Sequence, residues 1–401
     1  MALSVTRHTR ISRKVREEGK GKRKEKGKGK RREKEKAAEV PWTFLVCGID
    51  SLYLSLLVMW DEGWPKLLAD MEKQKEMAQG TGGILWAGRG GSVLFLPAGK
   101  PPMYRFHVQI PEAHLFIAKS DCTTYPNIYV SIAAHSLWCN GVTESVDLVK
   151  AFIKSLGGTV VRLKVSRCDL CADYLIPGGL ETDFLRRGFV AKSGKHRPIE
   201  QDGQLETYYV GDAGSVVQLR IYDKSKQIEK EGTVGWFKNV WGIDVAGGVW
   251  RVEFQLRRLV LNQLGINTLE DLLSKRGEIW KYLTEEWASI RYVDNENQTR
   301  RTVHEWWIDV QNCGGEFIEC KGIARNYAKE STVKARWFVS HVGGCLVTYA
   351  ALKGTGVLEA AGKELLGEIG RSEIGRTFEE RFREKCIKLG RRVVEGGERR
   401  E

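Results

Sequence analysis

Two short stretches constrain the fold of this chain more than any other feature. In Val216–Lys224 the residues Val217, Leu219 and Ile221 are apolar, and Gln218, Arg220, Tyr222 and Lys224 alternate with them. In Val249–Arg257 the alternation is Trp250, Val252, Phe254 and Leu256 against Arg251, Glu253, Gln255 and Arg257. Successive side chains on a strand point to opposite faces, so each stretch reads as a β-strand with one core face and one polar face. The first follows Thr207-Tyr208-Tyr209-Val210 across Gly211-Asp212-Ala213-Gly214, which is the turn chemistry of a hairpin. Further strands are expected over 92–96, 104–109 and 128–133, where Val, Ile and aromatic residues run between Gly or Pro.

Helical periodicity enters at Glu144–Leu156, with Val146, Val149, Phe152, Ile153 and Leu156 on one face and a Gly157-Gly158 stop. After Val260 it dominates: Leu261, Leu264, Leu269, Leu272, Leu273, Ile279, Trp280, Leu283 and Trp287 recur at three- and four-residue steps, and 333–389 is again helical. The most apolar run, Phe44–Trp60, is interrupted by Asp50 and Ser51 and is short for a membrane span, so a buried strand is expected there. The resulting expectation is an α+β protein. An antiparallel β-sheet catalytic body carries flanking helices, followed by a helical C-terminal part and preceded by a disordered basic N-terminal tail. The expected divisions are a tail at 1–40, an N-terminal α+β half at 41–158, a catalytic α+β half at 159–310, and a helical region at 311–401.

Charge is unevenly placed. The 401 residues carry a net charge of +13, but residues 1–36 hold sixteen Lys or Arg against five Glu, which is +11 of that surplus. With no aromatic residue, this segment cannot bury enough apolar area to repay its ordering entropy. Its run of cations, Lys22, Arg23 and Lys24 among them, suits an arm lying along phosphates or a merely solvated extension. Residues 37–401 hold 48 basic against 46 acidic side chains, so net charge says little about the body. Nine scattered cysteines with no signal peptide argue against a disulfide framework and for a cytoplasmic protein. Cys168 and Cys171 form one C-x-x-C pair without a second at zinc-finger spacing, and on a strand they face opposite ways, so both read as small core residues.

A polar sheet face is often only solvated. This one carries Tyr222, Lys224, Glu253 and arginines, which are the parts for breaking a phosphodiester through a tyrosine intermediate. A phenol is a poor nucleophile until it is deprotonated, and neighbouring cations or a divalent metal lower that cost. Arg and Lys would hold the phosphate oxygens. Ser166-Arg167-Cys168-Asp169-Leu170-Cys171-Ala172-Asp173-Tyr174 offers a further carboxylate. Asp169 and Asp173 stand roughly 13 Å apart on a regular strand, too far to share one ion without a bulge. Asp169 is the expected ligand, and the strand around it is either bulged or buried on both sides. Tyr208 and Tyr209 are rival tyrosines. Trp306 and Trp307 read as core and rim more readily than as base-stacking residues.

These segments resemble the replication initiation factor family, which comprises rolling-circle initiators of plasmids and filamentous phages together with related relaxases of integrative elements. The resemblance runs from Cys47-Gly48-Ile49-Asp50-Ser51-Leu52 through Ser166-Arg167-Cys168-Asp169, Thr207-Tyr208-Tyr209-Val210-Gly211 and Leu219-Arg220-Ile221-Tyr222-Asp223-Lys224 to Trp250-Arg251-Val252-Glu253-Phe254. It continues into Leu264-Gly265-Ile266-Asn267-Thr268-Leu269-Glu270-Asp271-Leu272 and Trp280-Lys281-Tyr282-Leu283-Thr284-Glu285-Glu286-Trp287, covering about residues 44–310.

The resemblance implies that Tyr222 is the nicking nucleophile and becomes linked to a DNA 5′ phosphate. Asp169 and Glu253 would hold Mg or Mn, with Lys224 and Arg251 near the phosphate and Arg220 and Arg257 on the DNA. The implied partners are origin DNA, single-stranded or in a hairpin, and host replication proteins such as a helicase. No membrane partner is implied, and a homodimer is compatible with the family. None of the seven histidines forms a His-hydrophobe-His triplet, so acidic metal ligands fit. The turn departs from the family in offering Asp212 where a basic residue is usual. The rival readings are a relaxase with the same chemistry and a non-catalytic DNA-binding protein that kept the fold.

Overall fold

The computed structural model describes residues 42–86, 93–121, 124–231, 234–243, 247–316, 342–372, 377 and 380–384. The basic tail, with Lys22, Arg23 and Lys24, lies outside the described residues.

The first half of the body contains β1 (Thr43–Trp60), α1 (Trp64–Gln79), β2 (Ile84–Trp86), β3 (Val93–Leu96), β4 (Tyr104–Ile110), β5 (Ala113–Ala118) and β6 (Ile128–Ile132). Next come α2 (Ala134–Asn140), α3 (Val142–Ser155) and β7 (Gly158–Leu175). The second half adds α4 (Thr182–Gly188), β8 (Phe189–Ala191), β9 (His196–Gln201), β10 (Gln204–Val210), β11 (Val217–Asp223), α5 (Lys224–Glu231), α6 (Val234–Trp241) and β12 (Val249–Arg257). Helices α7 (Arg258–Gln263) and α8 (Leu269–Lys281), strand β13 (Ala288–Ile290) and helix α9 (Glu305–Asn312) follow. Residues 342–353 and Leu358–Ser372 are also helical.

Among the described residues, eleven strands form one sheet in the order β2-β3-β4-β5-β6-β1-β7-β12-β11-β10-β9, every neighbouring pair antiparallel. The 18-residue strands β1 and β7 form its spine, pairing from Thr43 opposite Leu175 to Trp60 opposite Gly158. The apolar run Phe44–Trp60 is therefore a strand, and among the described residues no helix is long and apolar enough to cross a membrane.

One face of the sheet carries the main core. Leu52, Leu54, Leu56 and Val58 of β1 pack there with Leu219 and Ile221 of β11 and Val252, Phe254 and Leu256 of β12. They are joined by Trp64, Leu67 and Met71 of α1, Val146, Val149 and Ile153 of α3, and Trp280 of α8. Trp306 and Trp307 are buried in the same core, and the Trp307 indole donates to the Thr284 carbonyl at 2.8 Å. Helix α8 starts in a capping box, Thr268 accepting from the Asp271 amide while the Asp271 carboxylate accepts from the Thr268 amide.

The other face is covered at one end by a smaller cluster in which Trp138 of α2, Ile228 of α5, and Phe237, Val240 and Trp241 of α6 pack around Cys171. Cys168 is in the main core and Cys171 in the smaller one, so the pair is split across the sheet as its spacing predicts. Strand β7 is both bulged and buried on two sides, the two options left open by its sequence.

Candidate active site

Directly opposed residues of an antiparallel pair share a face. Tyr222 of β11 is opposite Arg251 of β12 and Thr207 of β10; Arg220 is opposite Glu253 and Tyr209. On the other side of β12, Arg251, Glu253 and Gln255 oppose Asp173, Cys171 and Asp169 of β7. The alternation seen in two segments thus extends over four strands, and Tyr222, Arg220, Glu253, Arg251, Asp169 and Asp173 all lie on the face opposite the main core. The tight turn between β10 and β11 depends on Gly211, whose φ of +89° strains any residue with a side chain. Asp212 in that turn is neutralised by an ion pair with Lys195, so the acid that departs from the expected basic pattern has its cation supplied from elsewhere in the chain.

The polar residues form two layers. The inner one is sealed. Arg251 has no exposed side-chain surface, and its fork grips Asp173 through Nε at 2.6 Å and Nη2 at 2.7 Å. Its Nη1 pairs with Asp50. Trp241 donates to Asp173 at 2.7 Å and Trp138 to Asp50 at 2.9 Å. Asp50 is the extra residue of a register shift between Ile49 and Ser51, which turns its side chain onto this face. Burial pushes the Asp50 carboxyl up, but the positive charges of Arg251 and Lys224 outweigh it and hold the group below the usual carboxylate range.

Lys224 begins α5 rather than ending β11. Its ammonium is buried, donates to Gln227 at 2.8 Å, and lies 4.5 Å from the Phe237 ring centre. Burial, reinforced by repulsion from Arg251, pulls its affinity for a proton down.

The outer layer opens on a cleft of about 210 Å³ lined by Thr207, Tyr209, Arg220, Tyr222, Lys226 and Lys230, among others. Tyr222 is 8% exposed, and its hydroxyl donates to Glu253 Oε2 at 2.8 Å. Burial pushes the phenol well above its ordinary pKa, opposed by the charges of Arg251 and Arg220. Arg220 Nη2 pairs with Glu253 Oε1 and stands 3.5 Å from Asp169 Oδ2, bridging the two carboxylates. Asp169 is held from its other side by Arg167 through Nε at 2.8 Å, while burial raises its pKa against that charge. Arg220 Nε and Gln255 Nε2 are buried donors with no hydrogen-bond partner among the described residues. Arg257 is exposed at the end of β12 and donates to the Ala213 carbonyl.

Asp169 and Glu253 were tied to a metal by resemblance, and here they converge on one cation, the Arg220 guanidinium. Mg is commonly held by one or two carboxylates with water and substrate phosphate completing the shell, and the Arg220 guanidinium stands between the two carboxylates where such a cation would sit. Among the described residues no group of three or more His, Cys, Asp or Glu side chains is placed to hold a metal.

Of the rival tyrosines, Tyr208 is fully buried on the core side and bonded to His196 at 3.2 Å, whereas Tyr209 sits on the polar face under the Arg197 guanidinium. Sequence reasoning did not assign roles to Asp50 and Arg167. The first had a legible signal: a carboxylate inside an otherwise apolar strand must find a partner.

No family model and no curated protein matches the sequence. Among solved structures, the chain is similar to a rolling circle replication initiator protein from Geobacillus stearothermophilus. The TM-score is 0.41 and the identity 16%, covering 69% of this chain and 99% of that one. At that level the similarity does not reach individual side chains.

Proposed function

We propose that this protein is a rolling-circle DNA replication initiator that nicks one origin strand through Tyr222. The observation that carries the reading is the phenol at the cleft, 2.8 Å from a buried carboxylate and beside an arginine whose Nε has no partner among the described residues. In the proposed reaction the Tyr222 oxygen attacks the scissile phosphorus, and Glu253 Oε2 receives the phenolic proton. The bond from phosphorus to the 3′ oxygen breaks, and that oxygen takes up a proton from solvent as a free 3′ hydroxyl able to prime synthesis. The 5′ phosphate stays on Tyr222, and rejoining reverses each step. Arg220 Nε supplies a donor for a phosphate oxygen. Arg251 and Lys224 act from beneath, Arg251 favouring the phenolate by its charge and Lys224 through its place beside the ring. Asp169 and Glu253 would hold Mg or Mn on the oxygens that now face Arg220; the ion, when bound, neutralises charge on the phosphate. The partners of this reading are origin DNA, single-stranded or in a hairpin, and a host helicase.

The closed state of the site, with every Asp169 and Glu253 oxygen already accepting a hydrogen bond, favours the non-catalytic DNA-binding protein as the second reading. One experiment separates them. Protein, supercoiled origin DNA and Mg or Mn are incubated and scored for a covalent protein–DNA adduct. The wild type is expected to form it and Tyr222→Phe to form none. An adduct that survives Tyr222→Phe removes the nucleophile assignment, and no adduct across candidate origins and both metals favours the binding protein.

A further inference from the structure

The face that carries Tyr222 continues across β1 into the N-terminal half, where it changes character. One cross-strand row runs from Arg257 through Arg167, Tyr53 and Ser131 to His114. The next runs from Lys164 through Ser55, Tyr129 and Phe116 to His107. The rings of Tyr53 and Tyr104 lie 5.9 Å and 5.8 Å from that of Tyr129, tilted rather than stacked, and all three are half-buried. Cations border them. Lys100 Nζ sits 4.0 Å above the Tyr129 ring centre, and Arg167 lies 4.9 Å from that of Tyr53. Arg167 is also the residue that grips Asp169, so the strip meets the candidate active site at a shared side chain.

A cross-strand aromatic ladder stabilises a sheet whatever faces it. That account covers Arg167, which pairs with Asp169, but leaves Lys100 over the Tyr129 ring, where repulsion from Arg167, after burial, lowers its pKa. Rings that can take bases, interleaved with cations that can take phosphates, match an unpaired nucleic-acid strand. From β4 to β12 there are five strand steps, roughly 24 Å at about 4.8 Å each, room for several nucleotides.

We propose that the strip formed by Tyr53, Tyr104, Phe116 and Tyr129, edged by Lys100 and Arg167, is a base-stacking track for single-stranded DNA that leads one strand to Tyr222. Its occupant, DNA, rests on the nicking reading; the stacking surface itself does not. Lys100 covers the Tyr129 ring in the free protein and moves to a phosphate when a base takes its place.

The test compares binding of the full chain to an oligothymidine and to an abasic strand with the same phosphates. The wild type is expected to prefer the oligothymidine. The Tyr53→Leu, Tyr129→Leu double variant, which keeps apolar packing, is expected to lose about tenfold or more in affinity for it and to lose the preference. Lys100→Gln, which keeps the backbone hydrogen bonds that residue 100 exchanges with Tyr104, is expected to make the salt slope shallower by about 0.7. Unchanged oligothymidine binding by the double variant, or an unchanged slope in Lys100→Gln, overturns the track. Tighter binding of oligouridine RNA than of DNA overturns its assignment to DNA. If the wild type forms the covalent adduct while the variants bind like it, the track fails and nicking stands. If no adduct forms but the variants lose binding, nicking fails and the track stands.

Discussion

At the scale of single residues, burial sets the chemistry of Tyr222. A phenol taken out of water ionises less readily, and here that effect exceeds the help it receives from Arg251 and Arg220. With the phenol kept protonated by burial and Glu253 taking its proton during attack, the rate of adduct formation should show no rise through the ordinary phenol value of about 10. A single-turnover pH profile that climbs through about pH 10 would point to a free phenolate as the nucleophile and contradict the placement. Glu253→Gln should keep the hydroxyl contact but lose the proton acceptor, cutting the rate by about a hundredfold or more while DNA affinity holds.

Asp50 governs stability rather than chemistry. Its carboxylate is held below the ordinary value of 3.8, so its contribution is fully present above that pH and lost as pH falls through the lower folded value. Asp50→Asn leaves Arg251 with one carboxylate in place of two and should cost about 3 kcal/mol near neutral pH. Because that contribution is already absent from the variant, its stability should fall less steeply below pH 4 than that of the wild type. Denaturant midpoints across pH 3–7 measure both effects.

At the scale of elements, the site depends on how close α2 comes to β1. Gly48 is a strand glycine without unusual backbone angles, and the reason for it is contact: a Cβ there would lie 2.7 Å from the Trp138 ring. That ring carries the indole that bonds Asp50, so Gly48→Ala should push α2 outward and weaken the network from its floor. The expected loss is about 1–3 kcal/mol in urea unfolding, with a lower rate of adduct formation. Full stability in Gly48→Ala would show that α2 adjusts freely. The same packing explains why a face read as polar is sealed at one end: α5 and α6 bring Ile228, Phe237 and Trp241 down onto it.

At the scale of the whole molecule, the two halves share one sheet because β1 and β7 run side by side at its centre. The surplus charge lies elsewhere, +11 of +13 within residues 1–36. Removing residues 1–36 should flatten the salt dependence of DNA affinity while the adduct still forms at low salt. An unchanged slope in a salt titration would assign the DNA contacts to the body alone.

Where strand and helix identities were legible, each rested on a local period. Alternation gave the β11 and β12 faces, and three- and four-residue spacing gave α3 and α8. The polar face with Tyr222, Arg220 and Glu253 followed from the same rule, since side-chain direction on a strand is fixed by parity. What parity does not carry is register between strands, or what packs on top. The meeting of Arg220 with both Asp169 and Glu253, the turning inward of Asp50 at a bulge, and the sealing of Arg251 and Lys224 under α2, α5 and α6 all depend on contacts between residues far apart in the chain. The sequence by itself determined which side chains share a face within β11 and within β12; only the tertiary structure decided which of them reach the cleft, because burial and partner choice belong to the assembled layers.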